Sequence, residues 1–317
     1  MIVSILLIIF GFSSLIFGAN WLVEGASALA KRYKVSNLVI GLTIVAFGTS
    51  APEFVVNNIA SMQGHADIVF GNIIGSNNFN LFIILGLSGL ILPIKVQSST
   101  AWKEIPISLF VTLLLLSLVN DFTFSGQTYM STVDGLILLF LFCLFLYYVF
   151  KQTTNEEQTT IAESQKSGKR IWGLIIIGLV GLILGGQLVV QNSIQVAHAL
   201  HISEKIIGLT IVAAGTSLPE LVTSVVAATK KNSDIAIGNV IGSNIFNILL
   251  ILSVSSIIKP IAYNPKFNID LFILIGGTIF LFTSMLTGEK KKIDRWEASI
   301  LFGFYIGYTT YLVMVEA

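Results

Sequence analysis

Apolar residues run along this 317-residue chain in stretches of about 18 to 28, separated by short polar joints. Stretches of that length suit α-helices crossing about 30 Å of hydrocarbon. Barrel strands would be half as long and would alternate apolar with polar. The pattern predicts ten spans, near residues 3–30, 37–62, 67–92, 104–120, 129–150, 171–200, 205–229, 234–258, 268–287 and 296–315. One joint is long. Residues 151–170, KQTTNEEQTTIAESQKSGKR, are poor in apolar side chains and divide the spans into two groups of five. The expected organisation is a first five-helix unit over 1–150, a linker over 151–170 and a second five-helix unit over 171–317.

Composition agrees with a bilayer setting. Hydrophobic residues make up 54% of the chain and charged ones 11%, against about 25% charged in an ordinary soluble domain. The fold class is therefore an all-α membrane protein. The N-terminal stretch lacks a basic leader and a clear cleavage site, so it reads as a retained first helix. A net charge of +1 gives no reason to expect nucleic acid. The single cysteine, Cys143, has no internal disulfide partner and is expected to be buried filler.

Residues 41–91 and 208–258 are the same segment written twice at an offset of 167, with 27 of 51 aligned residues identical. The first copy contains GLTIVAFGTSAPE and GNIIGSNNFN; the second contains GLTIVAAGTSLPE and GNVIGSNIFN. The identities gather on Gly, Thr, Ser, Pro, Glu and Asn, which core packing alone would not select. Such a duplication is expected of a transporter built from two repeats around one site.

Lys and Arg orient the repeats. With the N-terminus outside, 15 of the 18 basic residues fall in inner loops, and only Lys205, Lys259 and Lys266 fall outside. Basic loops resist translocation, so both termini are expected outside and the linker inside. Five helices per unit is an odd number. The second unit is then inverted relative to the first, about a pseudo-two-fold axis in the membrane plane.

Each first motif should break its helix near mid-membrane. Pro52 has no N–H for the carbonyl of Gly48, and Gly48 itself weakens the helix. Ala46, Thr49, Ser50 and Glu53 stand at i, i+3, i+4 and i+7, on one face. Ala213, Thr216, Ser217 and Glu220 repeat that stripe beside Pro219. The second motif supplies a facing wall, Asn72, Ser76 and Asn80 in one copy and Asn239, Ser243 and Asn247 in the other. Asn77 and Asn244, one residue further round, are expected either to stand behind the ligands and support them or to be structural. All the donors are hard oxygens, with neither Cys nor His in the motifs, which suits Ca²⁺ or Na⁺ over zinc, copper or iron. An ionised carboxylate alone in the membrane costs about 2.5 to 3.5 kcal/mol even on lenient scales. Glu53 and Glu220 therefore need cations: one Ca²⁺, two Na⁺ or two protons would neutralise them.

The paired GTSxPE and GNxIGSNxxN motifs resemble the α-repeats of the sodium/calcium exchanger family, within the calcium/cation antiporter superfamily. The likeness is specific in the two repeats and extends to the ten-helix layout. It implies alternating exchange of intracellular Ca²⁺ for external Na⁺, usually three Na⁺ for one Ca²⁺, in the cell membrane. It also implies a metal site made of Glu53 and Glu220, supported by Thr49, Ser50, Thr216 and Ser217, with carbonyls from Ala46 and Ala213 and further oxygens from Ser76, Ser243, Asn80 and Asn247. Many prokaryotic relatives have Asp where this chain has Asn247, as do the K⁺-cotransporting exchangers, so Asn247 argues against K⁺ dependence. No cofactor is implied, and since both halves of the site lie in one chain, a monomer suffices. Cation/proton antiport on the same scaffold is the alternative. A channel would need an open multi-ion pathway, and an enzyme a nucleophile with its base or a metal-binding His cluster; neither pattern is evident.

Overall fold

The computed structural model describes residues 2–120, 128–152, 167–199, 213–287 and 291–316. Helices dominate it. In the first unit α1 is Ile2–Tyr33, α2 Asn37–Thr49, α3 Ala51–Gln63, α4 Ala66–Ile91, α5 Thr100–Asn120 and α6 Thr132–Gln152. The second unit contains α7 Gly168–Ala199, a helical turn at Ala213–Gly215, α8 Leu218–Thr229, α9 Ser233–Ile258, α10 Asn268–Ser284 and α11 Arg295–Glu316. Among the described residues seven helices are long and apolar enough to cross a membrane, and α2 with α3 makes an eighth span bent by 49°. Of the expected span 205–229, the part before residue 213 lies outside the described residues, as does most of the linker.

Local chemistry sets the ends of these elements. Ser36 caps α2 by accepting from the Val39 N–H at 3.3 Å, and Asn232 caps the first turn before α9 by accepting from Ile235 N–H at 3.3 Å. Gly64 ends α3 in the left-handed region, φ 81°, where a side chain would be strained.

Burial separates the core from the rim. In the apolar window of α9 94% of residues are buried, and 72% in that of α4, against 28% for α1 and α6. The two repeat helices that carry the GNxIGSN motifs are thus the centre of the bundle. Large apolar side chains on the other helices, such as Phe10, Ile137 and Phe304, face outwards, as a lipid surface requires. Cys143 belongs with them. It is exposed on α6 and is not the core filler that its apolar setting predicts: hydropathy is the same on the lipid face and on the packed face.

Helices α1 and α7 lie against each other antiparallel. A Cβ on Gly18 would stand 2.8 Å from the carbonyl of Gly178, and one on Gly185 would stand 2.8 Å from the carbonyl of Gly11. Gly178 and Gly185 are Gly11 and Gly18 displaced by 167 residues, so equivalent positions meet crosswise. Small residues let the two backbones touch. The Ser14 hydroxyl donates to Gly181 O at 2.8 Å in the same seam.

Two features were not legible in the hydropathy. Two short antiparallel ladders join the units, β1 (Ile94–Lys95) with β4 (Lys292–Ile293) and β2 (Tyr129–Met130) with β3 (Ile261–Ala262). Among the described residues four helices also widen into π-helical segments, at Gly41–Val45, Phe79–Ile84, Thr100–Glu104 and Asn247–Leu252.

Replacing Gly18 by Val should force α1 off α7 and lower stability by about 1–3 kcal/mol, as overpacking does. Gly303→Ala, where a Cβ meets nothing within 4 Å, should be neutral. Thermal unfolding of the detergent-solubilised protein checks both; equal melting temperatures would contradict the packing.

Candidate functional site

Both helix breaks have the same backbone geometry. Ser50 has φ −81°, ψ 8° and Ser217 has φ −87°, ψ 7°, neither of them helical. Pro52 and Pro219 follow within the first turn of the next helix, where a missing N–H does least harm. The chain therefore turns at the serine and aims the following carboxylate into the bundle. Glu53 and Glu220 are each 1% exposed.

The carboxylates are held crosswise. The Ser50 hydroxyl donates to Glu220 Oε1 at 2.8 Å, and the Ser217 hydroxyl donates to Glu53 Oε1 at 3.2 Å. Behind each serine stands one from the facing helix, with Ser243 Oγ 3.0 Å from Ser50 Oγ and Ser76 Oγ 3.1 Å from Ser217 Oγ. The threonines cross in the same way. Thr49 Oγ1 lies 3.0 Å from Asn239 Oδ1 and within reach of the carbonyls of Val45 and Ala46 at 3.1 and 3.3 Å. Thr216 donates to Asn72 Oδ1 at 3.2 Å. Asn72 is in turn held by Asn57 (2.7 Å) and Asn239 by Ser224 (2.9 Å). These asparagines are the interhelical ties of the site.

Among the described residues ten buried side-chain oxygens have no hydrogen-bond partner, and four of them form two repeat-related pairs. Glu53 Oε2, Glu220 Oε2, Asn80 Oδ1 and Asn247 Oδ1 are buried and accept no hydrogen bond. Each is the 167-residue counterpart of another in the set. Leaving a buried acceptor unsatisfied costs about 1–3 kcal/mol, and more for a charged one, so the two carboxylate oxygens mark a place for something that supplies positive charge. Asn80 lies in one π-helical segment and Asn247 opens another. Such wide turns are frequent at functional sites, and nothing in the residue pattern announced them.

Of the sequence-predicted residues, the structure brings Thr49, Ser50, Glu53, Ser76, Thr216, Ser217, Glu220 and Ser243 into these crossed bonds, whereas Asn80 and Asn247 are bonded to Asn244 and Asn77. Ala46 lies over Gly242 of α9, but its carbonyl already accepts from Ser50 N–H at 3.0 Å and is reached by the Thr49 hydroxyl. Ala213 belongs to the helical turn before the second break, and its side chain lies outside the described residues. Among the described residues no group of three or more His, Cys, Asp or Glu could hold a metal; the set pairs two carboxylates with neutral oxygens. A cavity of about 370 Å³ adjoins the breaks, lined by Pro52 and Val56 of α3, Gln187 and Gln191 of α7, and Thr216 and Pro219.

A family model described as sodium/calcium exchanger protein matches residues 3–151 and 170–314. The chain belongs to that family. Sodium/calcium exchanger MaX1 of Methanosarcina acetivorans is 31% identical over 351 residues, with 99% of each chain covered. Inner membrane protein YrbG of Escherichia coli is 34% identical over 330 residues, covering 99% of this chain and 97% of its own. A solved structure of the sodium-calcium exchanger NCX_Mj, soaked with zero Na⁺ and Ca²⁺, superposes with a TM-score of 0.83 at 33% identity, covering 98% of this chain and 99% of that one. This family member is thus a multi-pass membrane protein with the helical fold of a solved exchanger.

Ser50→Ala and Ser217→Ala each remove a cross-unit hydrogen bond to a buried carboxylate. Each should lower stability by about 1–3 kcal/mol, and the two losses should be similar because the geometry is repeated. Parallel melting curves in ion-free detergent solution check this; no loss in either variant would contradict the crossed arrangement.

Proposed function

We propose that this protein is a secondary antiporter that exchanges Ca²⁺ for Na⁺ by alternating access and extrudes Ca²⁺ with the Na⁺ gradient. One observation carries the reading: two buried carboxylates from opposite units, each with one oxygen anchored by the other unit and one oxygen unpartnered. Charges so placed need cations. A single Ca²⁺ or two Na⁺ would neutralise the site and let it change its exposure, whereas the empty, doubly negative site would stay where it is. That difference separates an exchanger from a leak. A third Na⁺ would leave the loaded site positive and make transport sensitive to voltage.

The ions would be held by Glu53 and Glu220, by the hydroxyls of Thr49, Ser50, Ser76, Thr216, Ser217 and Ser243, and by the amide oxygens of Asn80 and Asn247. Ala46 and Ala213 would add carbonyls, the former after giving up one of its present donors. Hard oxygens in this number suit Ca²⁺. Membership of the family and the likeness to named sodium/calcium exchangers support Na⁺ as the counter-ion over the proton.

The architecture we propose is ten membrane spans in two inverted five-helix units, 1–150 and 171–317, joined by an inner linker, with both termini outside. The antiparallel meeting of α1 and α7 supports the inversion, and the basic loops support the orientation. In that orientation the cavity beside α3 and the second half of α7 opens outwards, and it would be the vestibule through which external ions reach Thr216 and the site. Because the crossed bonds are made within one chain, a monomer in the lipid bilayer would suffice.

Proteoliposomes loaded with Na⁺ should take up ⁴⁵Ca²⁺ when diluted into choline, and a proton gradient should not replace the Na⁺ gradient; uptake that follows protons and ignores Na⁺ overturns the assignment. Glu53→Gln and Glu220→Gln should each abolish exchange. For the topology, Ser167→Cys in a Cys143→Ala background should react with an impermeant maleimide only in inverted vesicles, and Asn264→Cys only in intact cells. The opposite pattern would reverse the orientation.

A further inference from the structure

The unpartnered oxygens of Asn80 and Asn247 face an unusual constraint. An amide side chain presents an oxygen at one corner and an NH₂ at the other, and only the oxygen suits a cation. Half a turn about the last bond exchanges them. Something must hold each amide the right way round.

Asn77 and Asn244 meet where α4 and α9 cross, and each is the 167-residue counterpart of the other. Asn77 Nδ2 donates to the backbone carbonyl of Asn244 at 3.2 Å, and Asn244 Nδ2 donates to the backbone carbonyl of Asn77 at 3.2 Å. A carbonyl only accepts, so both Nδ2 positions are determined without ambiguity. The side-chain oxygens of Asn77 and Asn244 must then point away from those carbonyls. They do, and each receives a second amide: Asn247 Nδ2 donates to Asn77 Oδ1 at 2.9 Å, and Asn80 Nδ2 donates to Asn244 Oδ1 at 3.0 Å. With their NH₂ groups committed, Asn247 and Asn80 leave their own Oδ1 atoms buried and unpartnered.

We infer that Asn77 and Asn244 are positioning residues, a reciprocal lock that turns the amides of Asn247 and Asn80 so that the cation site receives oxygens and never N–H groups. The control is crossed. Asn77 is three residues from Asn80 on its own helix, yet its bonded neighbour is Asn247 of the other unit. Each unit therefore orients the neutral oxygen of its counterpart. Loss of the lock would do more than loosen a ligand, because a flipped amide sets N–H dipoles against the ion.

The inference rests on the cation-exchange reading above, and a double-mutant cycle separates the two. Transport by the wild type tests the reading. The ratio of KM values among variants tests the lock, for whichever cation the wild type carries. Asn77→Ala should raise KM by about 10–100-fold, as loss of residues that orient metal ligands does, with a smaller effect on kcat. In an Asn247→Ala background, where there is no amide left to orient, the same substitution should leave KM unchanged. It should keep its full effect in an Asn80→Ala background. Asn244→Ala gives the mirror test, losing its effect on KM with Asn80→Ala and keeping it with Asn247→Ala, so the pattern can be read even where one variant fails to insert. Equal effects of Asn77→Ala in all backgrounds, or a fall in melting temperature with KM unchanged, would make the pair a structural tie and overturn the proposal.

Discussion

Two carboxylates enclosed in an apolar bundle set the terms for the rest of this protein. Glu53 and Glu220 are as buried as the core leucines around them, in a medium where charge is expensive. Neither has a basic side chain among its hydrogen-bond partners; neutral hydroxyls hold them, Ser217 on Glu53 and Ser50 on Glu220. Permanent neutralisation by Lys or Arg would stabilise the fold and remove any demand for a mobile ion. Neutral hydroxyls hold the geometry while leaving the charge unbalanced, and that imbalance is what gives a passing cation a reason to stop.

The surrounding structure supplies oxygens without supplying competing donors. Thr49 and Thr216 spend their hydroxyls on Asn239 and Asn72, and those asparagines are tied in turn to Ser224 and Asn57. The helix breaks and three of the four described π-helical segments occur where α2, α4, α8 and α9 converge, so the irregular backbone there is shielded by protein, while the fourth opens α5. This is the condition under which a membrane tolerates it. The outer helices show the opposite behaviour: α1 and α6 are regular, apolar and largely exposed, as befits elements whose only neighbours on one side are lipid chains.

Much of this was legible in the residues, for identifiable reasons. Span lengths follow from hydropathy because the bilayer sets a length, and the Thr49–Ser50–Glu53 stripe follows from helical spacing. The break at Ser50 follows from Pro52 two residues on. What could not be read depends on which element lies opposite. The donation of Ser50 to Glu220 rather than to its own Glu53 is a fact of three dimensions, as is the reciprocal bonding of Asn77 and Asn244. Cys143 shows the same limit, since hydropathy cannot tell a lipid-facing position from a packed one. The π-helical segments leave no compositional mark, and the ladders β1–β4 and β2–β3 involve only two residues per strand.

The crossed serine–glutamate bonds also bear on how the chain is made. Ser217 lies 164 residues after the carboxylate it holds, so during synthesis Glu53 enters the membrane well before its partner exists. The N-terminal unit must be inserted on the strength of its apolar spans alone, carrying an unsupported acid through the interval. Both bonds wait for residues of the C-terminal unit. The centre of this protein therefore depends on its C-terminal half, and a chain truncated before Ser217 would leave Glu53 in the membrane without the Ser217 hydroxyl that holds it.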